Sequence, residues 1–233
     1  MTATERSARE WTPTEVAARI QHTLIRVDAT LDEVEQHCRE CLEYGFDAAM
    51  VAGNWLPVAA RVLAGSSVKL ASAIDFPTGA MTTIGKMAEA RELVALGAVE
   101  LDVAANIGWL RSGFEAGFRD DLAAVVEAAR PAAVKVMLEL PLLTPAERDR
   151  AVDLACEAGV AYVKNASSSA VEVATPESIR YLRNRAPARV GVKASGGIKA
   201  FEQAVGLLDA GADLLGSSAG VAIVTRADGA TSY

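Results

Sequence analysis

The chain alternates between short apolar runs and longer amphipathic runs along most of its length. Eight of the apolar runs have the length and composition of buried strands. The predicted strands cover residues 20–25, 47–52, 68–75, 99–104, 133–139, 161–164, 189–193 and 212–216. A strand followed by a helix, repeated eight times at roughly 25–30 residues per unit, is typical of a (β/α)8 barrel.

The amphipathic runs between these strands carry helix start and stop signals. Thr30 with Glu33 three residues later forms a capping box, and Gly45 ends the same run. Thr144 before Pro145 starts another run in the way that favours a helix. A short amphipathic run over residues 12–20 predicts one further helix ahead of the first strand.

These patterns predict an α/β protein built as a single (β/α)8 TIM barrel with a short N-terminal helix. One domain is expected over residues 1–233, with residues 225–233 as a flexible C-terminal tail. A doubly wound open sheet is the alternative fold. That fold normally has a glycine-rich turn after its first strand, whereas residues 26–30 read RVDAT.

Composition excludes several classes of partner. The chain has 233 residues, is 51% hydrophobic, and carries a net charge of −7, so no basic nucleic-acid face is indicated. The N-terminal residues lack the apolar segment of a secretory signal. No run approaches the roughly 20 apolar residues that span a bilayer. We therefore expect a cytoplasmic protein with no nucleic-acid or membrane partner.

The cysteines do not indicate a disulfide framework, since there are three of them, Cys38, Cys41 and Cys156. The run HCREC at residues 37–41 resembles half of a metal site. The only other histidine is His22, and no second cysteine or histidine cluster is present to complete the site. The sequence therefore predicts no metal and ordinary helix packing for this run.

Polar and charged residues stand at the predicted strand ends, where barrel active sites form. In the fifth strand, Lys135 and Glu139 share one face while aliphatic residues fill the other. The aliphatic face must meet the helices, so the charged face points into the barrel. The same alternation turns Lys164 and Lys193 inward on the next two strands. A buried ion-pair network without chemistry is the alternative reading.

Two lysines side by side in a barrel suggest a reactive amine. A free lysine has a pKa of about 10.4 and is almost wholly protonated at neutral pH. Desolvation and a second ammonium both lower that pKa. One lysine can then attack a carbonyl and form a Schiff base while the other keeps it deprotonated. Asp102, at the end of the fourth strand, is the candidate carboxylate for moving protons.

Two glycine-rich loops indicate an anion site. Residues 195–197 (SGG) follow the seventh strand, residues 216–218 (GSS) follow the eighth, and each run is expected to open a helix. The loops after these two strands form the recurring phosphate site of TIM barrels. Ordinary tight-turn glycines are the alternative.

Several segments together resemble the deoxyribose-phosphate aldolase family, class I aldolases with a (β/α)8 fold. They are HTLIRVDAT (22–30), FPTGAMTT (76–83), ELDVAANIG (100–108), KVMLE (135–139), AGVAYVKNAS (158–167), ATPESIR (174–180), VGVKASGGI (190–198) and LLGSSAG (214–220). The resemblance implies cleavage of 2-deoxy-D-ribose 5-phosphate to acetaldehyde and glyceraldehyde 3-phosphate without a metal or organic cofactor. Family members are often dimers, so a homodimer is expected.

The resemblance also implies residue roles. Lys164 matches the Schiff-base lysine, Lys193 the lysine that depresses its pKa, and Asp102 the proton-relay aspartate. The family often ends in a tail whose terminal tyrosine takes part in proton transfer. Tyr233 stands at that place, with a frayed terminus as the alternative. The predicted substrate-binding residues are Thr23, Asp75, Glu139, Asn165, Ser167, Ser168, Gly196, Gly197, Gly216, Ser217 and Ser218.

The departures from the family pattern cluster around the predicted pocket. The family's glycine and lysine in the loop after the nucleophile are Ser168 and Ser169 here, and the aspartate before HTL is Gln21. The glycine before FP is Asp75, and the last serine of the phosphate loop is Ala219. The residues of imine chemistry are retained and those that contact the substrate are altered. We therefore expect an aldolase whose substrate preference is shifted, with the ordinary activity as the alternative.

Two other functions fit parts of the pattern. A phosphate-binding TIM-barrel isomerase or synthase would share both glycine-rich loops, but it would work with an acid–base pair and not with adjacent lysines. A non-catalytic barrel could retain the lysines and act through binding alone. The partner expected in the first two cases is a small aldehyde or a sugar phosphate.

Overall fold

The computed structural model describes residues 10–227 and forms a closed barrel of eight parallel strands in chain order. Because β1 pairs with both β2 and β8, the sheet has no free edge, which excludes the doubly wound alternative. The strands are β1 (Ile20–Leu24), β2 (Ala48–Val51), β3 (Lys69–Ile74), β4 (Glu100–Ala104), β5 (Ala133–Met137), β6 (Tyr162–Lys164), β7 (Gly191–Ser195) and β8 (Leu214–Ser217).

The helices lie between and around these strands, as the amphipathic runs predict. They are α1 (Pro13–Ala17), α2 (Leu31–Tyr44), α3 (Leu56–Val62), α4 (Thr83–Ala95), α5 (Ile107–Arg111), α6 (Glu115–Ala128), α7 (Pro145–Glu157), α8 (Pro176–Arg185), α9 (Phe201–Asp209) and α10 (Gly220–Thr225). Short 3₁₀ helices cover Gly53–Trp55 and Leu140–Leu142. α1 confirms the predicted N-terminal helix.

Local signals set the helix boundaries. The Thr30–Glu33 capping box is formed, and Gly45 ends α2 with a left-handed φ of 68°. Thr144 with Pro145 opens α7 in the same way. One expectation about the loops is wrong: the SGG run does not open a helix, because α9 begins only at Phe201.

The barrel wall separates an apolar layer from a polar interior. Val136, Val163 and Val192 face the helices and are fully buried in one continuous hydrophobic core. The alternate residues Lys135 and Lys193 are also fully buried, but on the inner face. The predicted alternation of these three strands is confirmed.

The parallel register sets charged residues of neighbouring strands side by side in two pairs. Lys164 on β6 pairs directly with Lys193 on β7, and Asp102 on β4 pairs with Lys135 on β5. Paired residues in a parallel sheet point to the same face, so all four side chains enter the barrel together. Within residues 10–227, no helix has both the length and the apolar character needed to cross a bilayer.

Candidate active site

A cavity of about 610 Å³ opens at the ends of the strands. Its floor contains Lys164 and Asp102, and apolar side chains such as Met50, Met137 and Phe76 form part of its wall. The loops after β6, β7 and β8 contribute serines and glycines. The cavity residues from these three loops are Ser167, Ser168, Ser169, Ala170, Gly196, Gly197, Ile198, Lys199 and Ser218.

Asp102 is the centre of a cluster of amines beneath this cavity. Its Oδ2 accepts hydrogen bonds from Lys164 Nζ at 2.9 Å and from Lys193 Nζ at 2.7 Å. Lys135 Nζ lies 3.2 Å from the other carboxylate oxygen. One carboxylate thus serves three lysines, and two of these lysines bond to the same oxygen atom.

A second tier of charges lies below this cluster. Glu100 pairs with Lys135 at 2.7 Å and with Lys69 at 2.9 Å, and Lys69 also reaches Asp47 at 2.8 Å. The side chain of Gln21 joins the two tiers, because it contacts both Lys193 and Glu100.

The surrounding charges and burial shift the pKa values of Lys193 and Asp102. Burial lowers the pKa of Lys193 to about 7, and the ammonium groups of Lys164 and Lys135 act in the same direction against the opposing charge of Asp102. Burial alone would raise the pKa of the Asp102 carboxyl, but the three surrounding ammonium groups outweigh it and hold that pKa well below its usual range. Near neutral pH the cluster therefore contains an ionised aspartate and a lysine that readily loses its proton.

The three lysines differ in access to the cavity. Lys164 lines it and retains 5% of its surface exposed, whereas Lys135 and Lys193 are fully buried and do not line it. A molecule in the cavity can therefore reach the amine of Lys164, and it reaches the other two amines only through Asp102 or Lys164.

A scan against protein-family models finds no match. Direct comparison with known proteins finds close matches. The chain is 43% identical over 208 residues to a deoxyribose-phosphate aldolase of Brevibacillus brevis, covering 89% of this chain and 94% of the relative. The chain belongs to the deoxyribose-phosphate aldolase family.

Members of the deoxyribose-phosphate aldolase family are aldehyde-lyases, and solved structures agree with the assignment. A deoxyribose phosphate aldolase from Aeropyrum pernix, described as tetrameric, superposes with a TM-score of 0.86 at 32% identity over 92% of each chain. A putative deoxyribose-phosphate aldolase from Coccidioides immitis gives a TM-score of 0.84 at 33% identity, covering 94% of this chain and 87% of the other.

The structure brings most of the predicted aldolase residues to one place. Lys164 and Asp102 line the cavity, and Lys193 lies directly behind them. The predicted substrate-binding residues at the cavity are Thr23, Ser167, Ser168, Gly196, Gly197, Gly216, Ser217 and Ser218. Tyr233 and most of the predicted tail lie outside the described residues. Thr225, placed in that tail, instead closes α10.

Asp75 and Glu139 do not line the cavity, although both were predicted there as residues at the ends of strands. β3 and β5 end before them, and both residues have left-handed backbones, with φ of 51° and 48°. Asp75 accepts hydrogen bonds from Thr78 Oγ1 at 2.7 Å and Met81 N at 2.8 Å. Glu139 accepts one from Ser167 N at 3.0 Å. Both side chains therefore hold loops of the aldolase barrel.

Asn165, also predicted to bind substrate, does not line the cavity, and its side chain connects two loops. Its carboxamide accepts a hydrogen bond from Ser195 N at 2.9 Å and donates to Ser195 O at 2.9 Å, so it joins the ends of β6 and β7. Asn165 Nδ2 donates to Glu172 at 2.7 Å as well. A fully buried amide with these partners fixes the strand ends that present Lys164 and the SGG loop.

Sequence reasoning missed several cavity residues. Arg26 and Lys199 bring cations to the lining, and Glu89 brings a carboxylate whose pKa is raised chiefly by burial. Ser169, named before only as the replacement of a family lysine, also lines the cavity. These residues lie in loops or on a helix, where strand alternation gives no signal. A search for cations close to the glycine-rich loops would have found Lys199.

Gly196 shows why the loop after β7 needs glycine. Its φ is 104°, and a Cβ atom there would come within 2.0 Å of the carbonyl oxygen of Glu172. Any side chain at this position would push the β6 and β7 loops apart.

His22 lies against the HCREC run, a contact that the sequence did not indicate. The rings of His22 and His37 stack with centroids 4.3 Å apart, and His22 Nε2 lies 3.1 Å from Glu40. The three possible ligand atoms lie within 4.8 Å of one another. The prediction that this run packs as part of a helix agrees with the structure, because His37, Cys38 and Cys41 all lie on the buried side of α2.

Proposed function

We propose that this chain is a class I aldolase that forms a Schiff base on Lys164. The observation that supports this most strongly is the shared carboxylate: Lys164 faces the cavity and hydrogen-bonds the same Asp102 oxygen as the buried Lys193. The amine that meets the substrate thus has a neighbour able to take its proton near neutral pH.

The first step is a proton transfer within the cluster. The Lys164 ammonium passes a proton by way of Asp102 Oδ2 to the neutral amine of Lys193. Each nitrogen is within 3 Å of that oxygen, so no large movement is needed. Lys164 then has a free lone pair, and the ammonium of Lys193 keeps the proton out of the cavity.

The remaining steps follow from amine chemistry. The Lys164 amine adds to the substrate carbonyl, and the resulting carbinolamine loses water to give an imine. The protonated imine accepts the electron pair as a C–C bond breaks, and the adjoining hydroxyl loses its proton as one aldehyde departs. The enamine left on Lys164 takes up a proton at carbon, and water releases the second product. We propose Asp102 as the proton relay in these steps.

Chemical trapping tests this proposal. The protein is incubated with acetaldehyde and reduced with borohydride, and the adduct is located by peptide mass. We expect modification of Lys164, loss of the adduct in Lys164→Arg, and much slower trapping in Lys193→Met. Lys199→Met is the matched control, since Lys199 lines the cavity without contacting Asp102. No adduct with a panel of aldehydes would contradict the proposal and favour the isomerase, synthase or binding alternatives.

For the substrate, we propose an aldehyde or sugar with a reduced dependence on phosphate. The glycines and serines of the loops after β7 and β8 remain around the cavity, as an anion site requires. The loop after β6 carries Ser168 and Ser169 in place of glycine and lysine. Turnover of 2-deoxyribose 5-phosphate measured beside 2-deoxyribose tests this, and we expect a smaller ratio than a Brevibacillus brevis relative gives. An equal ratio would mean ordinary phosphate dependence.

A further inference from the structure

Gln21 occupies an unusual position inside the barrel. Its side chain is fully buried on β1 and lies between Lys193 and two carboxylates. Its Oε1 accepts a hydrogen bond from Lys193 Nζ at 2.6 Å, and its Nε2 donates to Glu100 at 2.5 Å and to Asp47 at 2.9 Å. The donors and acceptors around it fix its orientation, because a reversed amide would turn its oxygen toward two carboxylates.

The charges around Gln21 do not balance if all are ionised. Four lysines, Lys69, Lys135, Lys164 and Lys193, are connected through contacts of at most 3.2 Å to three carboxylates, Asp47, Glu100 and Asp102. Loss of one lysine proton would make this group of charges neutral. An acidic residue at position 21 would supply a fourth carboxylate and make the group neutral without that loss.

Lys193 is fully buried, and charged groups of three neighbouring strands act on it. β4 contributes Asp102, and β5 and β6 contribute the ammonium groups of Lys135 and Lys164. On β8, the uncharged Gly216 faces the Lys193 side chain. A carboxylate at position 21 on β1 would therefore place a further negative charge beside Lys193. This chain has the uncharged amide of Gln21 at that position.

We propose that Gln21 is a positioning residue that keeps Lys193 able to lose its proton, by giving the amine a hydrogen-bond acceptor without a negative charge. An apolar residue of the same size would leave Lys193, Glu100 and Asp47 each short of a partner. A carboxylate would satisfy Lys193 but repel the other two. The amide meets all three at once. The catalytic use of this proton rests on the proposed function, whereas the proton affinity of Lys193 can be measured without it.

The test is an NMR titration of lysine side chains in the whole protein, labelled with ¹³C-lysine. The Lys193 signal is assigned by its disappearance in Lys193→Met. We expect a wild-type midpoint near pH 7 and a rise of about one to three pH units in Gln21→Glu, the effect of an opposite charge within a few ångströms. Gln36→Glu adds the same charge on the exposed surface of α2 and should leave the midpoint unchanged. Gln21→Asp repeats the test if the first variant does not fold.

Gln21→Met tests whether the Gln21 carbonyl affects the pKa of Lys193 or whether the side chain only fills space in the barrel. Loss of the carbonyl acceptor should move the Lys193 midpoint down, opposite to the acidic variants. If neither acidic variant folds, this downward shift decides the question. A wild-type midpoint in folded Gln21→Glu, or an unchanged midpoint in Gln21→Met, would overturn the proposal. Because the titration needs no turnover, a failure here with successful trapping on Lys164 would leave the aldolase proposal standing.

Discussion

Two of the fully buried lysines of this barrel, Lys86 and Lys193, have contrasting surroundings. Lys86 on α4 lies outside the barrel wall, where its Nζ contacts Asp121 at 2.9 Å and the carbonyl oxygens of Ala104 and Gly79 at 3.1 and 3.3 Å. Asp75 adds a second carboxylate at 3.7 Å. Lys193 lies inside the barrel and shares Asp102 with two other lysines.

The two lysines differ in the number of acceptors that surround each side-chain nitrogen. Lys86 has two carboxylates and two carbonyls for a single ammonium, so its charge is matched and its role is to tie the β3 loop to α6. Lys193 shares the single carboxylate of Asp102 with two other lysines, and its other acceptor is the uncharged amide of Gln21. Burial, together with this shortage of acceptors, lowers the pKa of Lys193.

The largest expected effect comes from removing the amine inside the barrel. Lys193→Met should lower turnover by about 10²–10⁴-fold, the usual contribution of a positioned proton-transfer group. Its unfolding free energy should fall by less than that of Lys86→Met, since Asp102 keeps Lys164 and Lys135 as partners. Aldol cleavage kinetics and urea denaturation measure the two effects. A variant that is stable and fully active would contradict the role of Lys193.

The matched change outside the barrel should have the opposite outcome. Lys86→Met leaves Asp121 buried, and among residues 10–227 the hydroxyl of Thr83, at 2.6 Å, is the side-chain partner that remains. We expect a loss of about 3–5 kcal/mol in unfolding free energy, the cost of an uncompensated buried charge. Activity per folded molecule should change far less than in Lys193→Met. A stability equal to wild type would show that the two lysines differ less than their contacts indicate.

The contrast also predicts a pH dependence. Below about pH 7 Lys193 holds its proton, so no neutral amine is available in the cluster and kcat/KM should fall about tenfold per pH unit. Above that pH the rate should level off, because the proton acceptor is already free. Steady-state kinetics between pH 5 and 9, with folding checked by circular dichroism, measure this limb. A limb that first appears near pH 10 would indicate an ordinary lysine.

Much of this contrast could be predicted from the sequence, because a strand is strictly periodic. Alternation within 133–137 and 161–164 is enough to turn Lys135 and Lys164 into the barrel, where parallel pairing places Lys135 beside Asp102. The periodicity fails where the chain leaves the sheet. Asp75 and Glu139 were extrapolated one or two residues beyond β3 and β5, and their left-handed backbones turn the side chains to the loops.

Contacts between distant segments were beyond prediction for a different reason. Gln21 reaches Glu100 across the barrel, and His22 stacks on His37 through the packing of α2 against β1. Neither contact follows from local spacing. Arg26 and Lys199 enter the cavity from loops, whose conformations depend on tertiary packing and not on a repeat.

The smallest expected effect concerns the phosphate end of the cavity. Ser169→Lys should restore a cation to the loop after β6 and raise the ratio of kcat/KM for 2-deoxyribose 5-phosphate over 2-deoxyribose by about two- to fivefold, as expected for one partly exposed ion pair. Ser169→Met, of similar length without the charge, is the control. Equal ratios in the two variants would show that Ser169 does not decide phosphate preference.

The rate of imine formation on Lys164, followed by rapid borohydride quenching and peptide mass across pH 5 to 9, tests the shared-proton cluster most directly. We expect the rate of imine formation to rise through about pH 7 to a plateau in the wild type and to stay low at every pH in Lys193→Met. A rate that is independent of Lys193, or that rises only toward pH 10, would contradict it.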